Sequence, residues 1–178
     1  MDVQLKLIPL EESLVEPLAN YWSSLSEEAL ELMGVNASKL PTKEQFVSNI
    51  SSQLTTPIKE KKAYALIAML NGEPIGHCNL NPIEFGFSAK MHLHIWNKDN
   101  RRSGLGFQMV LNALPIFFDT FQLQEIICEP MASNAAPNKT LQRIGFQFIK
   151  KYLTTPGSIN YEQEVNQWKF NSNALLDS

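Results

Sequence analysis

Asn100–Gly106, NRRSGLG, follows the alternating run Met91–Trp96 and opens into the apolar helical run Leu105–Phe118. The order is a strand, a basic glycine-containing turn and a helix. The first four amides of a helix have no intrahelical acceptor, and Gly104 and Gly106 carry no Cβ to screen them from an anion. Arg101, Arg102 and Lys98 add positive charge, so a phosphate-bearing ligand can sit here. A tight strand-to-helix turn with a solvated basic patch explains the same residues. Met109 stands where a dinucleotide fingerprint would carry its third glycine, which argues against that motif.

Working outward, Lys62–Leu70 and Pro74–Leu80 flank Asn71-Gly72, a strong short hairpin signal, and predict an antiparallel pair. Pro82–Ser88 reads as a loop or bent connection, and Lys90–Trp96 as the next strand. Its period of two puts Met91, Leu93 and Ile95 on one face and His92, His94 and Trp96 on the other. Upstream, Val3–Ile8 reads as a strand, followed by a helix carrying Leu14, Val15, Leu18 and Trp22. Ser26–Met33 is a second helix, and Thr42–Gln45 has the form of a capping box for a third, running to about Leu54. Downstream come a strand over Leu123–Cys128, a helix over Ser133–Ile144 ending at Gly145, and strands over Phe146–Tyr152 and Tyr161–Phe170. Pro115 is expected to bend the last turn of the helix that contains it. The order predicts a mixed α/β (α+β) sheet with helices on both sides, in one domain spanning residues 1–170, with a frayed tail over 171–178.

The 178 residues suffice for one sizeable core, and 44% hydrophobic with 19% charged residues describes a globular chain. A net charge of −3 excludes the widespread positive field of a general nucleic-acid binder or an acidic-membrane binder. Cys78 and Cys128 fit neither a disulfide framework nor a metal spacing, so no metal is expected. No leader pattern or membrane-length apolar run occurs, and a cytoplasmic setting is the expectation.

The run IWNKDNRRSGLG resembles motif A of the GNAT superfamily of acyl-CoA-dependent N-acyltransferases, with Arg101, Gly104 and Gly106 at its three defining places. About thirty residues on, SNAAPNKTLQRIGF resembles the second motif of that family in its RimJ/RimL style, with Asn134 and Gly145-Phe146 in register. The resemblance spans about Tyr64–Tyr152. It implies a twisted sheet whose strands at Lys90–Trp96 and Leu123–Cys128 splay apart, with acetyl-CoA as co-substrate and its pantetheine arm in the gap. Backbone near Ile95 and Trp96 would take the place of a neighbouring strand for that arm. The amides of Arg101, Arg102, Ser103, Gly104, Leu105 and Gly106 would hold the pyrophosphate, and Asn134 would bond the arm.

The implied activity is N-acetyl transfer to a primary amine, of a protein N-terminus or a small molecule, by direct attack in a ternary complex. Such a reaction needs a base for the amine, and His92 and His94 are the candidates on the strand before motif A. It also needs something to meet the departing thiolate. Leu141 and Pro137 occupy the two positions where family members carry a tyrosine or serine for that step. Asn138 or Thr140, water, Cys128 or Tyr152 are the alternatives. Trp22, Trp96, Phe85 and Phe87 can line an acceptor groove or belong to the core; Glu27, Glu28 and Glu31 can meet an amine or form a solvated helix face. Two other classes remain open: an acyl-CoA-binding module without turnover, and a nucleotide-phosphate-binding domain. A homodimer is possible through Tyr161–Phe170, read as an exposed closing strand.

Overall fold

The computed structural model describes residues 5–101 and 103–175; Val3, Arg102 and the last three residues of the tail lie outside them. In chain order the elements are β1 (Leu5–Pro9), α1 (Glu12–Ser23), α2 (Glu27–Leu32), α3 (Lys43–Thr55), β2 (Tyr64–Leu70), β3 (Glu73–Glu84), β4 (Ser88–Ile95), α4 (Leu105–Phe121), β5 (Glu125–Cys128), α5 (Ala135–Ile144), β6 (Gln147–Thr154) and β7 (Gln163–Asn171). The seven strands form one sheet in the order β1-β2-β3-β4-β5-β7-β6, antiparallel except for the β4–β5 pair.

Local chemistry sets many of these boundaries. Thr42 caps α3 in a complete capping box with Gln45, Ser26 caps α2 through the Ala29 amide, and Gly145 closes α5 at φ 106°. The β2–β3 hairpin turns at Asn71 and Gly72, both with positive φ. Side-chain alternation then distributes the core. Ala89, Met91, Leu93 and Ile95 of β4 pack on the α4 side with Met109 and Phe117, whereas Trp96 joins Leu14, Leu18 and Ile67 on the side covered by α1 and α3.

Four expectations are corrected. Residues 82–84 belong to β3, because a bulge between Leu80 and Ile83 accommodates Pro82 outside the regular ladder. The helix expected over Leu105–Phe118 runs on to Phe121: Pro115 lies on its exposed side, and burial of Phe117, Phe118 and Phe121 carries it onward. The start of the expected tail is ordered, with Asn171 in β7, a 3₁₀ turn over Ser172–Leu175, and Ser172 N–H donating to Gln124 O at 2.9 Å. Finally, β7 is an interior strand between β5 and β6, so the free edge on that side is β6. Val165, Trp168 and Phe170 of β7 are buried, which is why it cannot be the outer strand.

Candidate active site

The centre of the molecule is a fork. β4 and β5 pair only over Ser88–Lys90 and Glu125–Ile127. Beyond that, β4 stays with β3 through Ile95, while the chain after β5 follows β7: Asn166 N–H donates to Pro130 O at 3.1 Å and Ala132 N–H to Glu164 O at 2.9 Å. The two strands therefore diverge from Lys90 onward. Trp96 N–H donates to Ile75 O on β3 at 2.9 Å. Antiparallel alternation then turns the peptide groups of Leu93 and Ile95 toward the gap. Of the two expected backbone positions, Ile95 faces the fork and the Trp96 amide is spent within the sheet.

The mouth of the fork is the start of α4. Gly104 is its N-cap at φ 83°, a left-handed conformation that favours glycine, and the Gly104 carbonyl closes the first turn with Gln108 N–H at 3.1 Å. The preceding helix amides, at Leu105, Gly106 and Phe107, have no acceptor within the helix. A Cβ on Gly106 would stand 3.4 Å from a Leu93 methyl and 3.5 Å from an Ile95 methyl, so the helix start lies directly over the open part of β4. Arg101 is exposed and donates from Nη2 to Ile95 O at 3.1 Å, which brings the basic turn to the same place. Ser103 Oγ donates to Asn100 O within the turn, at 2.8 Å.

Across the gap, Asn134 is the N-cap of α5, exposed, with its side chain making no cap bond. Asn138 differs: its amide donates to Met131 O at 3.1 Å and Asn134 O at 2.7 Å, and its oxygen accepts from Asn166 at 2.9 Å and Trp168 at 2.8 Å. Every hydrogen-bonding position of that amide is in use, tying α5 to β7. Thr140 is likewise bonded back to Ala136 O, at 3.1 Å, and Leu141 is buried in the core. Cys128 is buried, which pushes its thiol far above the ordinary range.

The histidines share the α1 side of β4 but have different surroundings. His92 Nε2 lies 3.0 Å from Asn81 O, so Nε2 carries the hydrogen and Nδ1 keeps the lone pair of a neutral ring. Burial holds its pKa below the usual imidazole value. His94 Nδ1 is 3.2 Å from the Tyr21 hydroxyl, and its ring stacks on that of His77 at 4.7 Å between centroids. Trp96 Nε1–H donates to His77 Nδ1 at 2.8 Å, and Tyr21 stacks on Trp96. Burial, with repulsion from His92 and Arg101, pushes His94 down to about 3. Burial pushes Tyr21 up to about 12 and His77 well below its ordinary value.

Sequence reasoning places neither Tyr21 nor His77 in a site. The β3–β4 register, which sets His77 opposite His94, is the signal that joins them. Among the described residues there is no cluster of three or more potential metal ligands.

On the same side of the sheet, Lys90 reaches across the start of the fork to Glu129, with Nζ 2.7 Å from Oε2. Glu129, 3% exposed at its side chain, also accepts from the Tyr152 hydroxyl and from Gln167 Nε2 at 2.8 Å. Burial alone would raise its pKa; these donors overcome that and hold it below the ordinary carboxylate value. Tyr152 is pushed up to about 12 by burial and by this carboxylate.

Above this floor the loop after α2 is strapped to the β6–β7 loop. Gly34 O accepts from Tyr161 N–H at 3.1 Å and from the Asn160 and Gln163 side chains at 3.0 Å each, and Asn36 N–H donates to Ile159 O at 2.8 Å. Trp22 and Trp96 belong to the aromatic layer beneath α1. Phe85 and Phe87 flank the β3–β4 turn, at the end of β4 away from the basic turn, and Phe85 packs against the main core. Glu27, Glu28 and Glu31 are exposed on α2.

A mixed sheet that forks at its one parallel pair, with a helix N-terminus over the open strand, is the architecture that the sequence resemblance implies. The family model for the acetyltransferase (GNAT) domain matches residues 4–147, and the chain belongs to that family. No curated protein matches the chain. Among solved structures, it superposes on RimL, a ribosomal L7/L12 α-N-protein acetyltransferase in complex with coenzyme A, with a TM-score of 0.77 and 15% identity over 96% of this chain and 95% of that one. It superposes equally on the spermidine N-acetyltransferase from Vibrio cholerae in complex with CoA and spermine (TM-score 0.77, 16% identity, 97% and 98% covered). An uncharacterised protein from Bacillus halodurans gives a TM-score of 0.71 at 15% identity, over 99% of this chain and 88% of that one. At these identities the likeness establishes the fold. Among the described residues no helix is long and apolar enough to cross a membrane.

Proposed function

We propose that the chain transfers the acetyl group of acetyl-CoA to a primary amine. The observation that carries this is the fork: β5 leaves the Leu93–Ile95 edge of β4 unpaired, the start of α4 with its open amides lies over that edge, and Asn134, whose side chain makes no cap bond, opens α5 after the diverging strand. In this reading the pyrophosphate meets the amides of Ser103–Gly106 together with Arg101 and, by sequence, Arg102. The pantetheine arm follows β4 and is bonded by Asn134, while Asn138 acts as a positioning residue.

Of the two histidines, His92 is the better base. Its Nε2–H is fixed on Asn81 O, leaving a neutral Nδ1 to take the amine proton directly or through water. His94 is locked in the stack with His77 and Tyr21, and its depressed pKa makes it a weak base. His94 therefore holds α1 against the sheet.

The acceptor reaches the thioester from the side of His92 and the strap between the Gly34 and Asn160 loops. A protein N-terminus and a small polyamine-like amine both supply the required nucleophile. The continuous sheet supports one domain over residues 1–170. A dimer formed by strand pairing on this side would use β6.

Calorimetric titration of acetyl-CoA, with and without Arg101→Ala, tests the co-substrate. We expect roughly tenfold weaker binding in the variant, the size of one charge-assisted contact. An amine panel scored by CoA release tests turnover. Acetyl-CoA binding with no release on any amine would instead support a binding module, the reading favoured by Leu141 and Pro137 at the acid positions. For the base, His92→Gln should lose most of its rate and His94→Gln should keep its pH profile; the reverse pattern refutes the assignment.

A further inference from the structure

The residues assigned so far handle the amine and the pyrophosphate, and none of them meets the negative charge that leaves with sulfur. Resting on the acetyl-CoA reading, we infer that Lys90 supplies the positive charge that stabilises the thioester oxygen and the departing sulfur, and that Glu129 is the residue that aims it.

Three observations carry this inference. The first is position. Lys90 pairs with Ile127 at the last rung before β4 and β5 separate, and its ammonium crosses to Glu129 on the diverging strand. A pantetheine arm, with two amides and about twelve bonds, spans roughly the reach of four extended residues, some 13 Å. Entering beside Ile95 under the start of α4, it ends about four residues down the strand, beside Met91 and Lys90.

The second observation is hydrogen-bond capacity. Nζ carries three hydrogens; one goes to Glu129 Oε2 and one points to Pro156 O at 3.4 Å. The Lys90 side chain remains 32% exposed and, among the described residues, no third partner takes its remaining hydrogen, which leaves that hydrogen for a group entering the fork.

The third is the anchor. The Glu129 side chain is buried, and its Oε1 accepts from both Tyr152 and Gln167 while Oε2 accepts from Lys90, so the carboxylate serves as a fixed counter-charge for Lys90. Tyr152 has its hydrogen committed to that carboxylate and is not the acid.

In the transfer step the amine nitrogen bonds to the carbonyl carbon and the C–S pair returns to sulfur. The proton lost by nitrogen passes to His92 Nδ1 and on to water. Sulfur leaves as a thiolate held by the Lys90 ammonium, which keeps its own proton, and is protonated by water on release. Fixed positive charge at the atom where negative charge develops lowers the barrier without a titratable acid. That is the gap left by Leu141 and Pro137.

The test is the thiol pKa of bound CoA, followed by the ultraviolet absorbance of the thiolate. An ammonium within a few ångströms should lower it by about one unit or more relative to free CoA. Lys90→Arg should keep the depression. The charge-balanced variant Lys90→Met/Glu129→Gln, checked for folding by circular dichroism, should abolish it. That variant should also lose kcat roughly 10- to 100-fold, with KM for acetyl-CoA within about twofold of wild type. Bound CoA that titrates like free CoA in the wild type, a measurement needing no variant, overturns this inference alone. No CoA binding at all overturns the acetyl-CoA reading and this inference with it.

Discussion

Acidification should destabilise this protein through its stacked histidines well before its carboxylates titrate. His94 has a folded pKa of about 3 and His77 lies well below its ordinary 6.5, because both rings are enclosed among Tyr21, Trp22 and Trp96 and face each other at 4.7 Å. Unfolding returns each to about 6.5, so below that pH the unfolded chain binds protons that the folded chain refuses. The stability from keeping them neutral is complete above 6.5 and is lost as pH falls toward the folded values. Each such group costs about 1.4 kcal/mol per pH unit, so at pH 5 the pair removes roughly 3–4 kcal/mol, with His94 contributing less because solvent reaches part of it. Against a typical 5–15 kcal/mol this is a large fraction. Urea unfolding followed by tryptophan fluorescence between pH 7 and 5 measures the slope, with wild type and His94→Gln side by side. The variant should show a slope smaller by up to about 1.4 kcal/mol per pH unit. A wild-type stability flat between pH 6.5 and 5, or an unchanged slope in the variant, refutes burial of neutral imidazoles as the cause.

Three substitutions separate structural from ligand roles. Asn138→Ala strands the Trp168 and Asn166 donors and should cost about 2–4 kcal/mol in urea unfolding. Asn134→Ala removes a side chain that makes no cap bond, so stability should move by less than about 0.5 kcal/mol while acetyl-CoA binding weakens about threefold to tenfold by calorimetry. Gly76→Ala places a Cβ 2.4 Å from His94 O, where backbone must move; we expect a loss of at least about 2 kcal/mol, with shifts of β4 amide resonances near His94 that leave β6 unmoved.

Local rules made the first-order fold legible. The Asn71-Gly72 turn, the Thr42–Gln45 box and the Gly145 stop act through a few neighbouring atoms, and those atoms are adjacent in the sequence. Sheet order is different, because which strand lies outermost depends on packing between distant segments. The signal for β6 was nonetheless present. Lys150-Lys151 with exposed Phe148, Ile149 and Leu153 is the pattern of an edge, while Val165, Trp168 and Phe170 of β7 need cover. Pro82 misled because proline is read as a breaker, yet a bulge is a place where a strand can carry one.

The two halves of the site differ in the same way, and the difference explains where function was readable. The proposed anion-binding half is built from consecutive residues whose backbone amides would do the binding, so a seven-residue stretch encodes it almost alone. The other half draws Lys90 from β4, Glu129 from the turn after β5, Tyr152 from β6 and the strap from loops more than a hundred residues apart, and no local pattern can announce such a meeting. Only one clue was local: Glu129 directly follows the apolar run Ile126–Cys128, where a carboxylate pays a large desolvation cost unless something charged is waiting for it. Lys90 is that partner, held at the point where β4 and β5 part. The pair's carboxylate is buried and its ammonium half-buried, so the attraction within the pair is set against the desolvation of Glu129 and adds little net stability. The pair stands at the one rung beside the expected thioester, and the charge-balanced variant, which removes it without orphaning either member, separates a role in the reaction from a role in the fold.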